Sequence, residues 1–158
     1  MRLVTVISLL ASLLPITALA GGLEHVKQTI YGMDCAPCAY GVEKGLKGLS
    51  GVEQVTVSLN DGYAEVHLSD DGKATLAEIR EIIRKNGFTP KDADVRVSGK
   101  VVQSNDGQFL LKTDVETFEL NVNDQTILSH LAAADSSVIV SGSVPTGDGH
   151  QLSITAVD

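Results

Sequence analysis

The sequence predicts an α+β protein built as two small units in tandem. Three observations predict it. Between Glu24 and about Asp94, apolar residues change from a period of two to a helical period and back, in the order strand, helix, strand, strand, helix, strand. From Val95 onward the pattern is almost entirely strand, broken by one short helix. Turn signals of Asn, Asp and Gly fall between the periodic stretches and fix where each ends.

The first twenty residues stand apart from this pattern. Met1 and Arg2 give a positive start, Leu3 to Leu14 is nearly unbroken apolar sequence, and Ala18-Leu19-Ala20 supplies small residues before Gly21. Those are the parts of a secretory signal peptide, expected over 1–20 with cleavage after Ala20. The apolar run is shorter than the roughly 20 residues a membrane span needs and ends at Pro15, so no stable membrane insertion is expected after cleavage. The expected location is the periplasm.

In the first unit, His25 to Tyr31 reads as a strand, with Val26 and Ile30 taken to lie on opposite phases. A helix follows the two cysteines. Pro37 suits its first turn, where a missing N–H costs nothing, and Val42, Leu46 and Leu49 fall at i, i+4 and i+7. Gly41, Gly45 and Gly48 weaken it by about 1 kcal/mol each against Ala, so it must lean on packing. Val55, Val57 and Leu59 alternate, as do Ala64, Val66 and Leu68, and Asn60-Asp61-Gly62 joins them as a hairpin turn. Thr75 and Glu78 form a capping box for the second helix, Leu76, Ile79 and Ile83 make its apolar stripe, and Asn86-Gly87 closes it. After Phe88 a last strand runs to Val95 or Val97.

In the second unit, strands are expected at Val95–Val102, Phe109–Lys112, Thr117–Val122, Ser137–Val144 and Leu152–Val157, with a helix at Thr126–Ala133. Five strands with one helix after the third is the order of a small oligonucleotide/oligosaccharide-binding (OB) barrel; an irregular β-sandwich is the alternative. Val97-Ser98-Gly99-Lys100-Val101 and Val140-Ser141-Gly142-Ser143-Val144 share the pattern V-S-G-x-V, and a strand glycine marks the bend or bulge that a small barrel needs. The expected division is 1–20, 21–94 and 95–158, with the units free to share strand residues near Val95.

Charge narrows the function. With Arg2 removed, 11 basic residues face 20 acidic ones, and aromatic residues are only 4% with no Trp. Nucleic acid is not an expected partner, because phosphate binding needs clustered Lys and Arg and strand binding needs stacking rings. Asp70-Asp71 and Asp92 to Asp94 lack the spacing of a calcium loop and read as solvated turn residues. His25, His67, His130 and His150 have no ligand spacing to the cysteines and read singly as surface or strand residues. No nucleophile–base–orienter set is visible, so no enzyme is expected.

The chemistry lies in Gly32-Met33-Asp34-Cys35-Ala36-Pro37-Cys38. Cys35 and Cys38 are the only cysteines, and so close a pair makes a poor structural staple. At a helix N-terminus, unpaired N–H groups favour thiolates, and two soft sulfurs favour Cu(I), Hg(II) or similar ions over Mg²⁺ or Ca²⁺. The same spacing also suits a thiol–disulfide oxidoreductase, the alternative function, although no Trp precedes Cys35 and the first unit is small for that fold.

Gly-Met-x-Cys-x-x-Cys before a helix, Gly51-Val52-x-x-Val55-x-Val57 and the later Gly87-Phe88 resemble the heavy-metal-associated domain family. That family includes copper chaperones, modules of copper-transporting ATPases and periplasmic mercuric-ion-binding proteins. The resemblance covers about Leu23 to Asp94. It implies a ferredoxin-like βαββαβ sandwich with one soft ion, Hg(II) or Cu(I), held two-coordinate by Cys35 and Cys38. It further implies that Gly32 and Met33 support the loop, with Met33 buried beneath it, and that Phe88 sits close to the site. Cys35 is expected to exchange its ligand first. The signal peptide suits the mercuric type, while Phe88 and the added second unit depart from it. A monomer handing metal to a membrane transporter or another acceptor is the implied mode of action.

Overall fold

The computed structural model describes residues 21–70, 72–134, 136–147 and 149–158. The expected signal peptide and Asp71 lie outside the described residues. No helix among the described residues is long and apolar enough to cross a membrane.

The chain forms β1 (Leu23–Tyr31), α1 (Ala36–Lys47), β2 (Val52–Ser58), β3 (Tyr63–Leu68), α2 (Leu76–Lys85) and β4 (Thr89–Gln103). It continues through β5 (Phe109–Lys112), β6 (Thr117–Asn121), α3 (Gln125–Ala132), β7 (Ser137–Val144) and β8 (Gln151–Val157). The first four strands lie in the order β2-β3-β1-β4, all antiparallel, and α1 and α2 cover one face. This is the ferredoxin-like sandwich. Val26 and Ile30 are both buried against the helices. The expectation of opposite phases is therefore corrected: residues four apart on a strand share a face.

The hairpin and the caps form as their chemistry requires. Gly62 takes a φ of 64° between β2 and β3. The Thr75 hydroxyl accepts from the Glu78 N–H at 3.2 Å while the Glu78 carboxylate accepts from the Thr75 N–H at 2.8 Å. Leu76, Ile79 and Ile83 are fully buried. The glycines of α1 have a packing reason. A Cβ on Gly45 would come within 2.6 Å of Ile82 Cγ2, so that glycine lets α1 and α2 approach closely. Burying Val42 and Leu46 contributes about 1.5–3 kcal/mol each, enough to offset the low helix propensity.

β4 is a single strand of 15 residues. Its first half pairs with β1 from Thr89 to Val97, its end pairs with β5 from Lys100, and β7 covers its other edge from Ala93 to Lys100. The boundary expected at 94/95 falls inside it, so the two units share one strand. β4, β5, β6, β8 and β7 then close back on β4 as a five-stranded barrel, β6–β8 being the parallel pair. Gly142 stands at the register shift between β7 and β8, where a Cβ would meet the Ser153 carbonyl at 2.3 Å.

Asp92 and Asp94 lie on β4, which corrects their reading as turn residues. Asp92 accepts from the Thr146 N–H at 2.7 Å and from its hydroxyl at 2.8 Å, and these bonds hold its carboxyl below the usual value.

Candidate metal centre

The loop that carries the cysteines is set by β1 and α1. β1 ends at Tyr31, and Gly32 leaves it with a φ of 90°, a conformation other residues rarely adopt. That turn sends Met33 inward, where it is buried in the core, and leaves Asp34 exposed. Cys35 is the N-cap of α1, in extended conformation, with Pro37 in the first turn. Its carbonyl accepts from the N–H groups of Cys38 at 3.1 Å and Ala39 at 3.1 Å. Its Sγ accepts from the Cys38 N–H at 3.2 Å.

Both sulfurs are thus at the positive end of a helix whose first turn contains no acidic residue. Such a field stabilises thiolates. In this structure Cys35 and Cys38 are joined as a disulfide, with Cα atoms 5.2 Å apart, and both are half-buried. Reduction leaves two sulfurs on one turn, close enough to share an ion. Among the described residues no His, Asp or Glu joins them in a three-ligand group. The donor set is therefore two soft sulfurs, which fits a two-coordinate soft cation and not the four-ligand closed zinc site.

Gly32, Met33, Cys35 and Cys38 lie together on the loop between β1 and α1 and the first turn of α1. Thr89 pairs with Tyr31, so Phe88, half-buried and packed on the core, lies at the same end of the sheet as the loop. Two features escaped sequence reasoning. Tyr31 and Tyr40 flank the cysteines in sequence and are 69% and 65% exposed, an unusual display for large apolar side chains. His25 and His67 were read singly, yet the β1–β3 register sets them opposite each other. His130 lies on α3 and His150 just before β8, away from either pair in the chain.

The profile of the heavy-metal-associated domain matches residues 29–89. The copper chaperone CopZ of Staphylococcus saprophyticus is 36% identical over 62 residues, which cover 39% of this chain and 90% of that protein. The chain belongs to the heavy-metal-associated domain family. A copper-transporting ATPase of Helicobacter pylori is 36% identical over 70 residues, 43% of this chain, and the chain spans only 9% of its length. A solved copper-binding domain from the P-type ATPase HMA7 is 28% identical, covering 46% of this chain and 92% of that one with a TM-score of 0.39.

Proposed function

We propose that the protein is an exported, periplasmic carrier of one soft metal ion, bound as cargo between the reduced sulfurs of Cys35 and Cys38. The observation that carries the reading is the pair itself: two half-buried sulfurs at the N-terminus of α1, with no hard ligand grouped beside them among the described residues. Membership of the heavy-metal-associated domain family supports it. Cu(I) is the favoured ion, since the CopZ and ATPase relatives are named for copper; Hg(II) is the alternative with the same preference for sulfur.

Release proceeds by ligand exchange and needs no redox change. An incoming thiolate adds to the ion, a three-coordinate intermediate forms, and one cysteine leaves as thiolate and takes a proton from water. Cys35, at the loop, leaves first. Met33 beneath the loop and Gly32 at its turn hold the sulfurs in place, and Phe88 shields that end of the sheet.

The protein acts as a monomeric carrier and not as an enzyme, with a membrane metal transporter or another metal acceptor as partner. Residues 21–94 carry the ion. Residues 95–158, the greater part of the five-stranded barrel and read here as OB-like, serve as the docking module. Deletion from about Ser98 that leaves both metal affinity and cellular metal tolerance unchanged counts against that role.

The test of the carrier is an anaerobic competition titration of the reduced protein with Cu(I) and Hg(II) against a chelator of known affinity. One equivalent should bind, and the Cys35→Ser/Cys38→Ser variant should bind none while keeping its fold. The second reading is a thiol–disulfide oxidoreductase using the same pair, whose Cys-x-x-Cys spacing at a helix N-terminus suits that chemistry too. Metal binding no tighter than that of the variant, together with turnover of a dithiol substrate, would decide for it.

A further inference from the structure

The outer face of the ferredoxin-like sheet, away from the helices, brings together three metal-ligating side chains. On β1 His25 points to this face, and on β3 so do Glu65 and His67, because odd-numbered residues of both strands alternate with the buried Val26, Ala64 and Val66. His25 and His67 are cross-strand partners with ring centroids 4.6 Å apart. His25 Nε2 lies 2.8 Å from Glu65 Oε1, and one ligand atom from each of the three residues lies within 4.8 Å of the others.

We propose that His25, Glu65 and His67 form a second cation site, for a borderline divalent ion of the Zn(II) type. Two imidazoles and a carboxylate with an open fourth position are a donor set that zinc accepts, at metal–ligand distances of about 2.0–2.2 Å. Such distances require ligand atoms roughly 3.5 Å apart around a tetrahedral ion. The Glu65 and His25 atoms are already closer than that, and exposed His67 closes the remainder by turning its side chain.

The surroundings leave the three ligands available. Lys27 is the direct cross-strand partner of Glu65, yet its ammonium stands 4.3 Å over the Tyr63 ring. Arg96, opposite His25 on β4, is engaged by Glu24 at 3.1 Å and Asp158 at 2.8 Å. The His25–Glu65 contact is a diagonal one between the strands and needs no second imidazole beside it. This site is separate from the cysteines. His25 is six residues before Tyr31 on β1, roughly 20 Å along the strand from the loop.

The test uses the oxidised protein, in which the Cys35–Cys38 disulfide removes thiolate ligands, so it stands or falls apart from the carrier reading. Zn(II) is titrated against a chromophoric chelator, and Co(II) serves as the spectroscopic probe. One equivalent of Zn(II) should bind, and Co(II) should give the intense visible bands of a four-coordinate ion. His67→Asn, at an exposed position, and Glu65→Gln should each weaken Zn(II) binding at least tenfold with far-UV circular dichroism unchanged. Amide shifts on adding Zn(II) should centre on β1 and β3. No Zn(II) binding by the oxidised wild type overturns the proposal, as does equal binding by the His67→Asn variant.

Discussion

Arg80 on α2 donates through Nε to the side-chain oxygen of Gln28 on β1 at 3.0 Å, and both residues are sealed from solvent. The rest of the guanidinium donates to carbonyls of Lys91, Val144, Pro145 and Gly147, at 3.0–3.2 Å. One side chain therefore ties α2, β1, β4 and the exit of β7 together. Burial lowers its pKa, Arg84 adds to that effect, and Asp92 opposes it. Five hydrogen bonds to neutral oxygens take the place of a buried counter-ion.

Replacing Arg80 should therefore damage the whole molecule and not one helix. Arg80→Met keeps the bulk and removes every donor, so the buried Gln28 oxygen and Val144 carbonyl lose these bonds, and it should cost about 3–5 kcal/mol. Arg80→Lys should also be destabilising, because one ammonium cannot span the planar fork. Urea unfolding measures both. A loss under about 1 kcal/mol for Arg80→Met would show that water replaces the guanidinium at these carbonyls.

Local pattern made most of the fold legible and none of this network. The capping box, the Leu76–Ile79–Ile83 stripe and the Asn60–Gly62 turn are short-range features, written within a few residues of one another. Arg80 follows Ile79 on a helix whose local pattern shows only an apolar stripe, and its partners are Gln28, Lys91 and, more than sixty residues later, the chain leaving β7. The same limit hid the outer-face cluster. Cys35 and Cys38 are legible as a site because three positions of helix bring them together, whereas His25 and His67 meet through the β1–β3 register.

Two glycines of α1 should respond differently to alanine. A Cβ on Gly41 would meet the Asn86 side-chain oxygen at 2.7 Å, and that exposed amide can turn aside at the cost of its 2.8 Å bond to the Ile82 carbonyl. A Cβ on Gly45 would meet Ile82 Cγ2 at 2.6 Å, an atom fixed by its branch point. Alanine gains about 1 kcal/mol of helix propensity at either position. Overpacking at Gly45 costs about 1–3 kcal/mol, so Gly45→Ala should be destabilising while Gly41→Ala is neutral or stabilising. Thermal unfolding of the two variants side by side reads the difference, and equal midpoints would contradict the contact.

Glu116 gives a pH dependence. It sits between β5 and β6, accepts from the Leu76 N–H at 3.4 Å, and has its carboxyl pushed by burial to about 7 from an ordinary 4.5. The Leu76 N–H opposes that rise and the Glu78 charge adds to it. The folded chain thus holds this proton more tightly than the unfolded chain. The associated stability is full below about pH 4.5, falls as pH rises, and is lost above about 7. Glu116→Gln has no such proton to lose. Relative to wild type it should gain about 1–2 kcal/mol between pH 4.5 and 8, short of the ~3 kcal/mol of the full shift because the carboxyl keeps contact with water. Urea midpoints that track each other across that range would refute the shift.

The shared strand makes the last expectation the sharpest. A chain ending at Val97 keeps every residue of the ferredoxin-like sandwich, but strips β7 from the β4 edge at Ala93–Val97. It also removes Val144, Pro145 and Gly147, the acceptors of three Arg80 hydrogen bonds. An uncovered edge of that kind is a template for pairing with a second chain. The truncated protein should unfold at lower urea than the intact one and should self-associate as its concentration rises, read by size-exclusion chromatography. The intact chain should unfold in a single transition by far-UV circular dichroism, because the network and β4 couple its two parts. Two separate transitions, with the truncated chain matching one of them, would mean that β4 joins the units without coupling them.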